Sequence, residues 1–335
     1  MAPNTLLRPA KLRRAVSPSL LRSQECLGPH GRSCGEPCAA GHHLPSSGLE
    51  RPAKSCFNRD LDASRHVGHR CAGVLQAGES VITSYSGKVE FAGAQGHMLA
   101  ARLDMPELSP GAFAVFAHCF TCSKDTRAAA YISAALVAQG IAVLRFDFTG
   151  LGGSEGDFAN TNFSSNVGDL VAAADWLRRE HSAPQLLVGH SLGGAAGLAA
   201  APRIPEARAV ATVNAPAHPA HVLQHLVQAK SEILAQGEAE VQLGGRPFRL
   251  KRQFIEDIEG HKLDAVVAHL GKALMVFHAP HDQTVGIDNA AHLFTTARHP
   301  KSFVSLDDAD HLLSRKEDAL YVGQVLAAWV HRYLM

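Results

Sequence analysis

Five short apolar runs most constrain the fold: Ala112 to Ala117, Ile141 to Phe146, Gln185 to Val188, Ala209 to Val213 and Ala273 to His278. Nearly continuous runs of this kind are what strands buried on both faces require. Between them lie stretches with helical spacing. Thr126 to Gln139 is amphipathic and closed by Gly140, Val167 to Glu180 follows, and an Ala-rich helix starts at Ser191. Strands alternating with helices imply an α/β fold, a mostly parallel central sheet with helices on both faces. Lys88 to Phe91 and His97 to Leu103 precede it as a hairpin around Gly93 and Gly96. Ser302 to Leu306 adds a last strand, and Lys316 to Leu334 a last helix.

One segment breaks the alternation. Ala215 to Asp264 reads as a helix (Ala220 to Gln236), a hairpin around Gly244-Gly245 and a second helix (Arg252 to Glu259). Ligands of such sheets bind at the carboxyl ends of the strands. A long excursion there is expected to be a lid rather than a decoration.

The first 80 residues follow different rules. They hold five of the seven cysteines, one Phe and no Tyr or Trp. Such a segment cannot bury enough apolar surface to offset its ordering entropy, so it is expected to be a disordered tail before a domain at 81–335. Arg8, Lys11, Arg13, Arg14 and Arg22 with no acid among the first 24 residues also suit an organelle transit peptide. A wrongly chosen start codon is a further reading. Cys34, Cys38, His42 and His43 match zinc-finger spacing poorly, so no metal is expected. The tail carries 11 Lys/Arg against 6 Asp/Glu, and the remainder 21 against 25. The body thus lacks a general basic surface for nucleic acid, and no apolar run is long enough for a membrane span. No secretory leader is read in the sequence, so a cytoplasmic chain with reduced thiols is expected.

The chemistry centres on Gly189-His190-Ser191-Leu192-Gly193, between a strand and a helix. That is the context of a Gly-x-Ser-x-Gly nucleophile elbow. The turn is tight enough that Cβ atoms at the glycine positions would collide with backbone. A serine hydroxyl needs a base, and the base an orienting acid, which follow in the order Asp then His. Asp282 lies just after the strand ending at His278, and His311 just after the strand ending at Leu306. Both land on the sheet edge that carries Ser191. His281 is a weaker base candidate, because it occupies the acid's place. Asp307, Asp308 and Asp310 read as solvated loop acids.

AHCFTCSKD, residues 117 to 125, admits two readings. Cys119-x-x-Cys122 between strand and helix fits a thioredoxin-like redox site. His118-x-Phe120 in the same place fits the oxyanion loop of an α/β-hydrolase, with Phe120 and Leu192 as backbone donors. A thioredoxin-like fold leaves Ser191, Asp282 and His311 unexplained, so the hydrolase reading is preferred. Cys119 and Cys122 are then two reduced thiols lining a pocket, with a disulfide brake as the alternative. Gly150-x-Gly152 fails the dinucleotide fingerprint, since Glu155 stands at the third glycine, and Asp147 reads as a structural buttress. His218, His221 and His225 lie at helical spacing without Cys or carboxylate partners, so they are expected to form a lid face.

From residue 85 to 334 the chain resembles the α/β-hydrolase superfamily. AHCFTCSKD, LRFDFTGLGGSEGDFANTNFSSN, GHSLGGAA and RPFRLKRQF are most similar to the hydrolase half of proteins that join it to an OsmC-like peroxidase domain. The general motif also resembles serine-aminopeptidase-type and monoglyceride-lipase-type hydrolases. The resemblance implies a cofactor-free serine hydrolase acting on a small-molecule acyl substrate. An OsmC-like half does not follow in this sequence, so an OsmC-like protein enters only as a separate partner. Cys119 stands where a glycine commonly follows the loop histidine. Peptidase activity would need an acidic cluster near Ser191, for which Glu238, Glu240, Glu256, Asp257 and Glu259 are available.

Overall fold

The computed structural model describes residues 84–334, so the expectations for the tail (disorder, targeting and the Cys34–His43 cluster) lie outside the described residues. Strands β1 (Tyr85–Ala92) and β2 (Met98–Met105) form the antiparallel hairpin, turned through Gly93 and Gly96. Strands β3 (Ala112–Ala117), β4 (Ile141–Phe146), β5 (Leu186–His190) and β6 (Ala209–Val213) follow the apolar runs closely. Two further strands, β7 (Glu238–Leu243) and β8 (Arg246–Lys251), form a separate antiparallel hairpin. Then come β9 (Ala273–His278) and β10 (Lys301–Ser305). The eight-stranded sheet runs β1-β2-β4-β3-β5-β6-β9-β10, and every pair beyond β2–β4 is parallel.

Period-2 alternation explains why these strands are apolar throughout. On β3, Phe113, Val115 and Ala117 pack with α2 (Phe163–Glu180) and α3 (Leu192–Ala200) on one face. Ala112, Ala114 and Phe116 point the other way, against α1 (Arg127–Val137) and the final helix. Each face buries its own core, so a polar residue at either parity would cost desolvation.

Two helices depart most from the sequence reading. Helix α2 starts at Phe163, four residues before Val167. Asn162 accepts from Ser165 N–H at 2.8 Å while Ser165 Oγ accepts from Asn162 N–H at 3.0 Å. This capping box turns a polar run, loop-like by composition, into a first turn. The expected helix at 220–236 is instead a 3-10 segment (Pro219–Leu226) followed by α4 (Val227–Gln236), because the Leu226 backbone (φ −123°) leaves the helical region. Helices α5 (Arg252–Gly260) and α6 (Asp264–Ala268) complete the insertion.

A helix absent from the sequence reading, α7 (Asp288–Thr296), joins β9 to β10. Parallel neighbours need a crossover of this kind. Helix α8 (Lys316–Leu334) closes the fold. The insertion's Ile233, Ala239, Val241, Leu250, Phe254 and Ile258 belong to the same apolar cluster as α2 and α3. Its hairpin and helices are therefore packed onto the body. Among the described residues no helix is long and apolar enough to cross a membrane.

Candidate active site

The parallel order sends the carboxyl ends of β3, β5, β6, β9 and β10 to one edge, and every candidate residue follows one of those ends. Ser191 follows β5 directly, at φ 55° and ψ −127°, in a backbone region that disfavours a side chain. It is held there by its N–H donating to Val213 O at 2.8 Å. The flanking glycines are required by contact. A Cβ on Gly189 would lie 2.3 Å from Gly193 O, and one on Gly193 would lie 2.4 Å from the carbonyl oxygens of both Ala117 and His118. The elbow is therefore wedged against β3 itself, beside the first turn of α3, where amide N–H groups lack intrahelical acceptors.

The structure brings Ser191, His311 and Asp282 together. Ser191 Oγ–H donates to His311 Nε2 at 3.0 Å, and His311 Nδ1–H donates to Asp282 Oδ2 at 2.7 Å. Burial alone would raise the Asp282 pKa. The His311 bond and the N–H groups of Val285 (2.9 Å) and Thr284 (2.8 Å) outweigh it and hold the carboxyl below its ordinary value. His281 lines the same cleft without a bond to Ser191 or His311. Asp307 accepts from Ser305 Oγ–H at 2.9 Å and Asp310 from Ser314 N–H at 2.9 Å, so both serve their own loop.

Two residues overlooked in the sequence position the His311 backbone. Asn214, at φ 47° after β6, donates through Nδ2 to His311 O at 3.0 Å and accepts through Oδ1 from Ala279 N–H at 2.9 Å. It thereby links the loop that carries His311 to the one that carries Asp282. His190 Nε2–H donates to the same His311 carbonyl at 2.7 Å. Burial, then the neighbouring His311, push its pKa down to about 4, so it stays a neutral donor. The signal for Asn214 was its place after an apolar strand on the functional edge, but position alone gives it no partner.

The loop after β3 corrects one expectation. Cys119 and Cys122 are joined in a disulfide and are not two free thiols. Cys122 N–H donates to Cys119 O at 3.1 Å, and Thr121 sits at φ 62°. Positive φ at the third position is the mark of a type II turn. The turn sets the two Cα atoms 5.3 Å apart, inside the range a disulfide spans. Local turn geometry, which the compartment argument ignores, brings the sulfurs together. Phe120 lies inside this ring and lines the cleft with Ser191.

Comparisons with known proteins bear on the family and the fold. A family model described as serine aminopeptidase, S33, matches residues 112–253. The esterase domain of a Rhodothermus marinus protein is 52% identical, with 75% of this chain and 100% of that domain covered and a TM-score of 0.62. This chain belongs to the α/β-hydrolase superfamily. Mouse alpha/beta hydrolase domain-containing protein 10 is 21% identical, covering 73% of this chain and 99% of its own, with a TM-score of 0.61. Est1E from Butyrivibrio proteoclasticus, in a ferulic acid-bound structure, is 19% identical over 73% of this chain and 99% of its own, also at 0.61. These two share the fold. No curated protein matches.

In this α/β-hydrolase the loop after β3 is anchored by charge as well as covalently. Lys124 N–H and Nζ donate to Asp147 at 2.6 and 2.7 Å, and Gly153 N–H donates to the same carboxylate at 2.9 Å. Gly152 is obligatory beside it, since a Cβ there would lie 2.1 Å from Asp147 Oδ2. Asp147 is thus the expected buttress, with Lys124 as the partner that sequence did not reveal. Arg145 donates to Lys124 O at 2.6 Å while paired with Asp104 at 2.6 Å.

The hydrolase's insertion reaches the same loop. Arg246 donates to Thr121 O at 2.5 Å, and Phe254 stacks on Phe120 at 5.4 Å. His221 and His225 donate to Thr284 O, beside Asp282, at 3.1 and 2.9 Å. His218 departs from expectation, because it meets a carboxylate, Asp264, at 3.8 Å from the far end of the insertion. Helical spacing reports only neighbours on the same segment. Between insertion and sheet edge lies a cleft of about 990 Å³, lined by Ser191, Phe120, Val222, Leu243, Arg246 and Leu312 among others.

Proposed function

We propose that this α/β-hydrolase is a serine esterase that cleaves carboxylic esters through an acyl-enzyme. The observation that carries the reading is the unbroken Ser191–His311–Asp282 chain of hydrogen bonds opening on the cleft. His311 takes the Ser191 proton as Oγ attacks the carbonyl carbon. It then returns that proton to the departing alkoxide. Asp282 keeps Nδ1 protonated and stabilises the imidazolium. The N–H groups of Phe120 and Leu192 receive the developing oxyanion, a contribution of about 10²–10³ in rate per donor. Water, deprotonated by His311, releases the acid. No cofactor enters these steps.

The domain comprises roughly residues 81–335, and the insertion acts as its lid. The cleft is largely apolar, lined by Phe120, Val222, Leu243 and Leu312 with one cation, Arg246, and two acids already engaged, Asp282 by His311 and Asp310 by the Ser314 N–H. That favours an ester over a peptide with a free amine. Of the insertion's acids, Glu238 pairs with Arg249, Asp257 accepts from Ser164, and Glu259 pairs with Lys230. None of these, nor Glu240 or Glu256, lines the cleft. A fluorophosphonate probe should label Ser191 in the folded chain and not in Ser191→Ala, and short acyl esters should turn over where aminoacyl amides do not. Failure of the folded wild type to label would remove the serine mechanism. Faster turnover of the amides would replace esterase by aminopeptidase.

A further inference from the structure

The insertion begins just after β6 and ends at α6, and its two ends meet. His218 immediately precedes Pro219, Asp264 opens α6, and both face His292 on α7. His292 Nε2 lies 2.6 Å from Asp264 Oδ1, His218 Nε2 lies 3.8 Å from the same oxygen, and the imidazole rings are 5.1 Å apart. One ligand atom from each residue falls within 4.8 Å of the other two.

We propose that His218, Asp264 and His292 form a zinc site that fastens both ends of the insertion to α7. Zinc takes imidazole nitrogen and carboxylate oxygen at about 2.0–2.2 Å in a tetrahedron, which sets ligand atoms about 3.3 Å apart. The two distances to Asp264 Oδ1, 2.6 and 3.8 Å, straddle that spacing. The side chains retain 41%, 53% and 45% of their exposure, so small rotamer changes close the difference. Two imidazoles with a single carboxylate suit zinc, whereas calcium and magnesium demand more oxygen ligands. Three protein ligands leave the fourth position to water. The three side chains meet here from three segments, at 218, 264 and 292, which hydrogen bonding within one helix does not bring together. The site is separate from Ser191, so the proposal does not depend on the esterase reading.

The test uses the full chain, stripped with chelator and titrated with zinc against a chromophoric competitor. With 20 histidines and seven cysteines the chain has other possible ligands, so the result is the difference between wild type and His218→Gln/His292→Gln. Wild type should bind one more zinc ion than the double variant. Asp264→Asn should weaken that ion by at least the ~10–100-fold that follows disturbance of a ligand's supporting groups. Cobalt in the same site should give a visible spectrum without the thiolate charge-transfer band that cysteine ligands would add. Zinc should raise the melting temperature of wild type and not of the double variant. Circular dichroism of both variants, expected to match wild type because all three side chains are exposed, guards against unfolding. Equal zinc stoichiometry and affinity in folded wild type and double variant would overturn the proposal.

Discussion

Two His–Asp couples in this molecule have nearly the same length and opposite surroundings. His311 Nδ1 sits 2.7 Å from Asp282, whose side chain is 0% exposed, while His292 Nε2 sits 2.6 Å from Asp264, whose side chain is 53% exposed. The first couple is completed by a serine hydroxyl and by backbone donors that pin the carboxylate. The second is completed by another imidazole, with solvent free to reach all three groups. Under the two proposals above, the same bond serves different chemistry according to what surrounds it. Where water is excluded, a carboxylate fixes a tautomer; where water is admitted, it is available as one ligand among several.

Removing each carboxylate should separate the two most sharply. Asp282→Asn should lower ester turnover by about 10⁴ with the fold intact, because the amide holds the wrong imidazole tautomer. Asp264→Asn in metal-free protein should change stability by no more than about 1 kcal/mol, as for an exposed ion pair. Steady-state kinetics and urea midpoints check both. A collapse of turnover in Asp310→Asn with Asp282→Asn active would move the acid to the other loop.

The next largest effect is on pH. His190 is depressed from 6.5 to about 4 in the folded state. Above pH 6.5 it is neutral in both states and its contribution is fully present. As pH falls from 6.5 toward 4 the unfolded chain binds a proton the native chain refuses, so stability falls by roughly 3 kcal/mol. Burial lowers the His118 and His278 pKa values, and Asp282 is held low, so all three act in the same direction. Urea midpoints at pH 7 and pH 4.5 should differ in wild type and differ less in His190→Gln. An equal slope in both would show that His190 does not carry the dependence.

The smallest expected effect concerns the ring around Phe120. Lys124–Asp147, Arg145 and Arg246 hold that loop from three directions. Cys119→Ser with Cys122→Ser, or reduction of wild type, should therefore lower turnover only a few-fold, within the roughly 1 kcal/mol that separates such rates. A loss of several orders of magnitude with the fold intact would make the disulfide the main constraint on the loop.

Much of this was legible because burial on both faces leaves a strong imprint. Ala112–Ala117, Ala209–Val213 and Ala273–His278 were bounded correctly from apolar continuity alone. Ser191, Asp282 and His311 followed from strand ends in a fixed order. What escaped depends on partners distant in sequence. Lys124 looks like a solvated lysine until Asp147 is seen beneath it, and Asp264 looks like a loop acid until His292 arrives from α7. Helix α7 escaped because only Ala290, Leu293 and the amide of Asn289 are buried, too little for a visible stripe. The Cys119–Cys122 bond escaped because thiol pairing here follows from one left-handed residue, Thr121, which no composition reveals.

Under the proposed mechanism, the clasp between Arg246 and Thr121, with Phe254 stacked on Phe120, couples selection to speed. The segment that shapes the cleft also sets the position of an amide assigned to the reacting oxygen. Replacing the insertion wholesale with one from another enzyme would exchange the substrate profile and detune the rate together. A graft that hopes to change only the first must bring its own donor to the Thr121 carbonyl and its own aromatic surface for Phe120.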